Sequence, residues 1–191
     1  MKIAITLALC LHANIPTSTI TTPLDTIAPK TPPPTIARNS PPTPLSETPF
    51  DQAMKPIVEA YITIQESLAH DHIRGVHKAA RDILAHQKAL HSISVQKNNQ
   101  APHNSLVDDL SKHTRPFLTI NNLHEARTAF YQLSYTITLW ATTAKPSGFA
   151  LAFCSMAHKG DGAGWLQKTG PLRNPYYGSA MLECGKFVDW P

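Results

Sequence analysis

The chain has 191 residues, 42% of them hydrophobic and 16% charged, with a formal net charge of +4. Only three Cys and no long apolar run exclude a disulfide-dense mini-protein, a coiled coil and a polytopic membrane protein. The 17 Lys and Arg are scattered singly, without a basic stripe or interleaved aromatics, which argues against nucleic acid as a partner.

Met1-Lys2 followed by an apolar stretch to Leu11 and a small residue at Ala13 has the form of a secretory signal over residues 1–13. A lipid anchor at Cys10 is disfavoured because Leu9 is too large for the position before an acylated Cys. The expectation is a periplasmic or secreted protein with no transmembrane span in the mature chain. Ten of the 17 prolines and nine threonines then fall within residues 14–49. Such a segment buries too little apolar surface to offset its ordering entropy, so it reads as an extended, disordered linker.

Residues 50–191 remain for a globular domain. Pro56 fits a first helical turn, and Ile57, Tyr61, Ile64 and Leu68 follow as one stripe of an amphipathic helix. Asp71 is a candidate N-cap for a second helix, with Val76, Ala80, Ile83 and Leu90 on one face and Arg74, Lys78, Arg81 and Lys88 in water. Residues 92–104 read as a polar loop. Leu106, Leu110 and the Leu118 region predict a less regular third helix that Pro116 bends or ends. Asn122 with Glu125 resembles a capping box, and Ala126, Phe130, Leu133, Ile137 and Trp140 carry the strongest periodicity in the chain. The fold class is therefore mainly α: an antiparallel bundle of three to four helices over 50–147. A small loop-and-strand unit over 148–191, where five of the eight Gly cluster between 148 and 170, packs on it.

Cys154 and Cys184, the two Cys that a mature chain keeps, each have a Met nearby, in Cys154-Ser-Met156 and Met181-Leu-Glu-Cys184. An i, i+2 pair in a strand or an i, i+3 pair in a helical turn can aim both sulfurs at one point. Two thiolates and two thioethers form a soft set that selects Cu(I) or Ag(I), with His158 a further candidate ligand. The alternative is a Cys154–Cys184 disulfide, closing about 30 residues and stabilising by roughly 3–4 kcal/mol in the chain-entropy model. Both readings stay open on residue types. None of the helical histidine pairs has i, i+4 spacing; Gly160-Asp-Gly-Ala-Gly164 lacks a following Lys-Ser/Thr; no nucleophile elbow or carboxylate pair stands out. No catalytic residue is assigned, and the chain reads as a non-enzyme.

Taken together, Ala152-Phe-Cys-Ser-Met-Ala157, Gly162-Ala-Gly-Trp-Leu-Gln-Lys168, Arg173-Asn-Pro-Tyr-Tyr-Gly178 and Met181-Leu-Glu-Cys-Gly185 resemble the bacterial family called domain of unknown function 3347. Tyr61 to Leu68 and Ala126 to Ser134 resemble its helices, so that the likeness runs from Met54 to Asp189. Members look like exported proteins or lipoproteins, and the domain is also found joined to periplasmic adaptor subunits of copper/silver efflux pumps. The resemblance implies a metal set of Cys154, Met156, Met181 and Cys184, with Trp165, Asn174, Pro175, Tyr176 and Gly178 shaping the site. It also implies a soft-metal handling role beside an efflux adaptor or another envelope metal-handling protein. Where members often carry Pro between Cys and Met, this chain has Ser155. The alternative function is a non-enzymatic envelope interaction module with a structural disulfide.

Overall fold

The computed structural model describes residues 48–95 and 101–191, leaving the side chains of 94–104 aside. The signal reading of 1–13 and nearly all of the linker reading of 14–49 lie outside the described residues. Four helices, α1 (Pro49–Ala69), α2 (Val76–Val95), α3 (Ala101–Thr114) and α4 (Leu123–Ala144), precede three strands, β1 (Phe149–Cys154), β2 (Ala163–Lys168) and β3 (Lys186–Val188). In the helical ring α1 packs on α2, α2 on α3, α3 on α4, and α4 back on α1. None of the described helices is long and apolar enough to cross a membrane.

The stripes read from the sequence are the core. Ile57, Tyr61, Ile64 and Leu68 of α1, Val76, Ala80, Ile83 and Leu90 of α2, and Ala126, Phe130, Leu133 and Ile137 of α4 are all fully buried. Arg74, Lys78, Arg81 and Lys88 are exposed. The Asn122 side chain accepts from the Glu125 amide at 2.9 Å, capping α4 as its spacing predicts.

Element boundaries differ in three places, each for a local reason. Helix α1 starts before Pro56, because Thr48 and Asp51 form a reciprocal capping box at the head of the helix. Pro56 is then inside the helix on its solvent face, where the unpaired carbonyl of Gln52, also exposed, can meet water. Asp71 does not cap α2: its φ of 58° is left-handed, whereas an N-cap is extended. Gly75 supplies the start instead, its carbonyl accepting from the Ala79 amide at 2.9 Å. The loop expected over 92–104 is shorter, since α2 runs to Val95 and α3 takes Pro102 into its first turn, where a missing amide costs little. Pro116 does end α3, passing the chain into a 3-10 turn over Arg115–Leu118 in which Phe117 is buried and Leu118 is 37% exposed.

The strands form one antiparallel sheet in the order β2-β1-β3, with Ala152 opposite both Trp165 and Phe187. Its outer β2 edge docks on the helices through hydroxyls. The Leu166 amide donates to the Tyr61 hydroxyl at 3.1 Å, and Tyr61 and Ser134 are bonded at 2.8 Å. Ser134 and Tyr176 both donate to the Gly164 carbonyl at 2.9 Å. With Tyr61 as donor to Ser134, every group in this buried chain is satisfied, which is what burial of polar groups requires. Burial raises the Tyr61 phenol well above its ordinary range, so the chain stays neutral.

Candidate soft-sulfur site

The site is built where β1 ends. Cys154 is its last residue and is 1% exposed, while Cys184 lies two residues before β3 and is half-buried. Because β1 pairs with β3 at Phe153 and Lys186, the two cysteines are brought side by side. Both are free, with their sulfurs 3.0 Å apart. Gly185 permits this approach: at φ 130° a Cβ there would come within 2.8 Å of the Phe153 carbonyl oxygen.

Met156, 53% exposed on the turn after β1, places its Sδ 4.0 Å from Cys184 Sγ. Its carbonyl accepts from the Tyr177 hydroxyl at 2.6 Å, which pins this turn. Three of the four sulfurs singled out in the sequence thus converge. Met181 joins the site through its main chain, its carbonyl accepting from the Cys184 amide at 3.0 Å. Among the described residues, Met181 Sδ makes no such contact with a thiol. At φ −150° and ψ 58° it is not in a helical turn, so the i, i+3 alignment with Cys184 does not apply. His158 faces elsewhere: its ring stacks on Tyr131 of α4 with centroids 3.8 Å apart, and its Nδ1 is 3.5 Å from Asp161 Oδ2.

Of the residues expected to shape the site, Asn174 makes the most hydrogen bonds around Cys184. Asn174, fully buried, donates from Nδ2 to the Cys184 carbonyl at 2.7 Å, while its Oδ1 accepts from the amides of Tyr176 and Tyr177. Its own amide donates to the Leu182 carbonyl at 2.7 Å, so a single side chain and its backbone gather residues 174–184. Trp165 is fully buried, meets Tyr176 edge to face at 6.0 Å, and has its Cη2 3.2 Å from the position a Cβ would take at Gly185, beside Cys184. Tyr176 also packs edge-on against Phe130, carrying the site down to α4. Pro175 is buried, and Gly178 turns at φ 57°.

Several organising residues carry no sequence signal of their own role. Gln167, 2% exposed, accepts at Oε1 from Trp165 Nε1 and the Arg173 amide and donates to the Lys168 and Pro171 carbonyls. Gln65 of α1 donates to the Arg173 carbonyl at 2.7 Å. Asp71 pairs with Arg127 at 2.6 Å and accepts from the Ser179 amide at 2.8 Å. These partners stand 56 and 108 residues apart in sequence. A charge and a buried amide at those spacings look like ordinary surface and loop residues until the chain is folded.

The hydrogen bond between the two thiols, which holds the Cys184 proton, is the main influence pushing the Cys184 thiol above its ordinary range, with desolvation adding to it. A soft cation would therefore displace protons on binding. The donor types fit Cu(I) or Ag(I): two thiols and a thioether, all on one side of the sheet end. Two sulfurs sharing one ion at about 2.3 Å stand about 3.8 Å apart at the tetrahedral angle and about 4.6 Å apart when linear. Binding would therefore spread the thiols by about 1 Å or more. Closure to a disulfide would instead bring them to about 2.05 Å.

Residues 57–147 match the family model described as Protein of unknown function (DUF3347). No curated protein and no solved structure matches the chain. The matched span runs from the third turn of α1 past the end of α4 and stops just before β1, so the converging sulfurs lie beyond it.

Proposed function

For a chain that belongs, through residues 57–147, to a family of unknown function, we propose a non-enzymatic, periplasmic role in soft-metal handling. In this reading Cys154 and Cys184 supply thiolates and Met156 a thioether to Cu(I) or Ag(I), carried as cargo and passed by ligand exchange to an efflux adaptor. The observation that carries it is the convergence of three sulfurs from two separate segments at an open end of the sheet. Half-exposed Met156 and part-exposed Cys184 give an incoming ligand access, while buried Trp165 and the Tyr176 ring wall the site on its inner side. Met181 belongs to the same loop and is a reserve thioether.

A competition titration of the reduced protein against a chromophoric Cu(I) chelator tests the reading. Cys154→Ser and Cys184→Ser should each abolish competition, and Met156→Leu should weaken it by about tenfold, with Met181→Leu weaker in effect. A wild-type protein that takes no Cu(I) from the chelator, or serine variants that compete as well as wild type, would overturn it.

The 3.0 Å separation of the two thiols favours a second reading, in which they are oxidised to a structural disulfide and the domain is an envelope interaction module. Intact mass of the exported protein separates the two. A deficit of two hydrogens that survives mild reductant supports the disulfide; free thiols with bound copper support metal handling.

A further inference from the structure

We infer that Asp71 and Arg127 are positioning residues for the Cys184 sulfur, so that the helical ring controls how the two thiols meet. This rests on the reading that the Cys154–Cys184 pair is the working site. Cys154 is fixed by β1, which is paired on both sides. Cys184 has no such support: between β2 and β3 the chain forms only one short 3-10 turn, Gly178–Ala180. Besides the Asn174 bond to its carbonyl, its position depends on a ladder of backbone bonds, Met181 N–H to the Gly178 carbonyl at 3.1 Å and Cys184 N–H to the Met181 carbonyl at 3.0 Å.

The foot of that ladder is clamped by the helices. Asp71, just after α1, accepts from the Ser179 amide through one carboxylate oxygen and pairs with Arg127 of α4 through the other. Arg127 donates from Nε to the Pro175 carbonyl at 3.0 Å and from Nη2 to the Leu68 carbonyl at 2.8 Å. Gly178 makes room for the clamp, since a Cβ at that position would overlap Asp71 Oδ1 and Arg127 Nη2. Asp71 and Gly178 both hold left-handed backbone, at φ 58° and 57°. A non-glycine residue kept there is held by its surroundings, as strained residues at working sites are.

The test reads the metal-free thiol–disulfide equilibrium of the full chain in glutathione buffers. In that reaction Cys154 and Cys184 form their Sγ–Sγ bond and give up two hydrogens, and one glutathione disulfide takes them to become two glutathione thiols. Asp71→Ala should shift the equilibrium constant about tenfold from wild type, and Gly178→Ala, which dislodges the clamp without removing it, by a similar factor. Asp71→Asn keeps an acceptor for Ser179 and should shift it by about threefold. Helical circular dichroism should be unchanged in all three. If Asp71→Ala does not fold, Asp71→Asn and Gly178→Ala decide the matter. Folded variants whose constants equal that of wild type would overturn the positioning role. Failure of wild type to compete for Cu(I), alongside shifted constants, would sink the metal reading and leave the positioning role standing. Normal Cu(I) competition with unshifted constants would do the reverse.

Discussion

The helical ring and the sheet-end unit are held together by different means. In the ring, contiguous stripes of Ile, Leu, Val and Phe are buried, and order follows from many interchangeable apolar contacts. In the unit beyond Gly170, few large apolar side chains are buried, and two amides, Gln167 and Asn174, gather most of the loop. The first kind of structure tolerates loss by degrees; the second depends on single residues. A site that must let two sulfurs approach or separate is better served by the second kind, because its loop can shift without disturbing the ring.

The contrast can be broken from either side. Phe130 stacks on Tyr61 at 5.3 Å and meets Tyr176, so Phe130→Ala should cost about 4 kcal/mol and lower the denaturation midpoint seen by far-ultraviolet circular dichroism. Asn174→Ala removes the anchor of the Cys184 loop and should cost about 2–3 kcal/mol. In hydrogen exchange, residues 175–185 should lose protection while α1 to α4 keep theirs; a uniform loss would show that the unit does not open separately. Tyr61→Phe strips the hydroxyl that joins the two regions and leaves the Leu166 amide without its partner, for about 1.5 kcal/mol in a chemical denaturation series.

The smallest expected effect is in acid. The Ser179 hydroxyl and the Arg127 guanidinium, with the Ser179 amide, lower the Asp71 carboxyl from 3.8 to about 2. The unfolded chain therefore takes up this proton at a higher pH than the folded one. The stabilisation is complete above about pH 4, declines as pH falls towards about 2, and is absent below that. With solvent screening of a part-exposed pair it amounts to about 1 kcal/mol, and Asp71→Asn should flatten that part of the pH–stability curve.

How far the sequence could be read follows from the range of each interaction. Helical stripes are local patterns, so Ile57 to Leu68 and Ala126 to Ile137 were legible as core faces, and Asn122 as a cap. The start of α1 is not legible from Pro56, because a proline is equally at home in a first turn and on a wet helix face. Cys154 and Cys184 are legible by residue type, but that Met156 supplies a thioether contact to Cys184 depends on backbone angles that spacing does not encode. Tyr61 looked like one more apolar position, because its hydroxyl partner Ser134 is 73 residues away.

The hydroxyl chain along β2 also bears on how the molecule behaves in a crowded compartment. A small sheet has two open flanks, each able to recruit a strand from a neighbouring chain and begin aggregation. Tyr61, Ser134 and Tyr176 occupy the Leu166 amide and the Gly164 carbonyl on one flank, and among the described strands β3 forms the other. That strand is three residues long and begins with an exposed lysine, a poor template for intermolecular pairing.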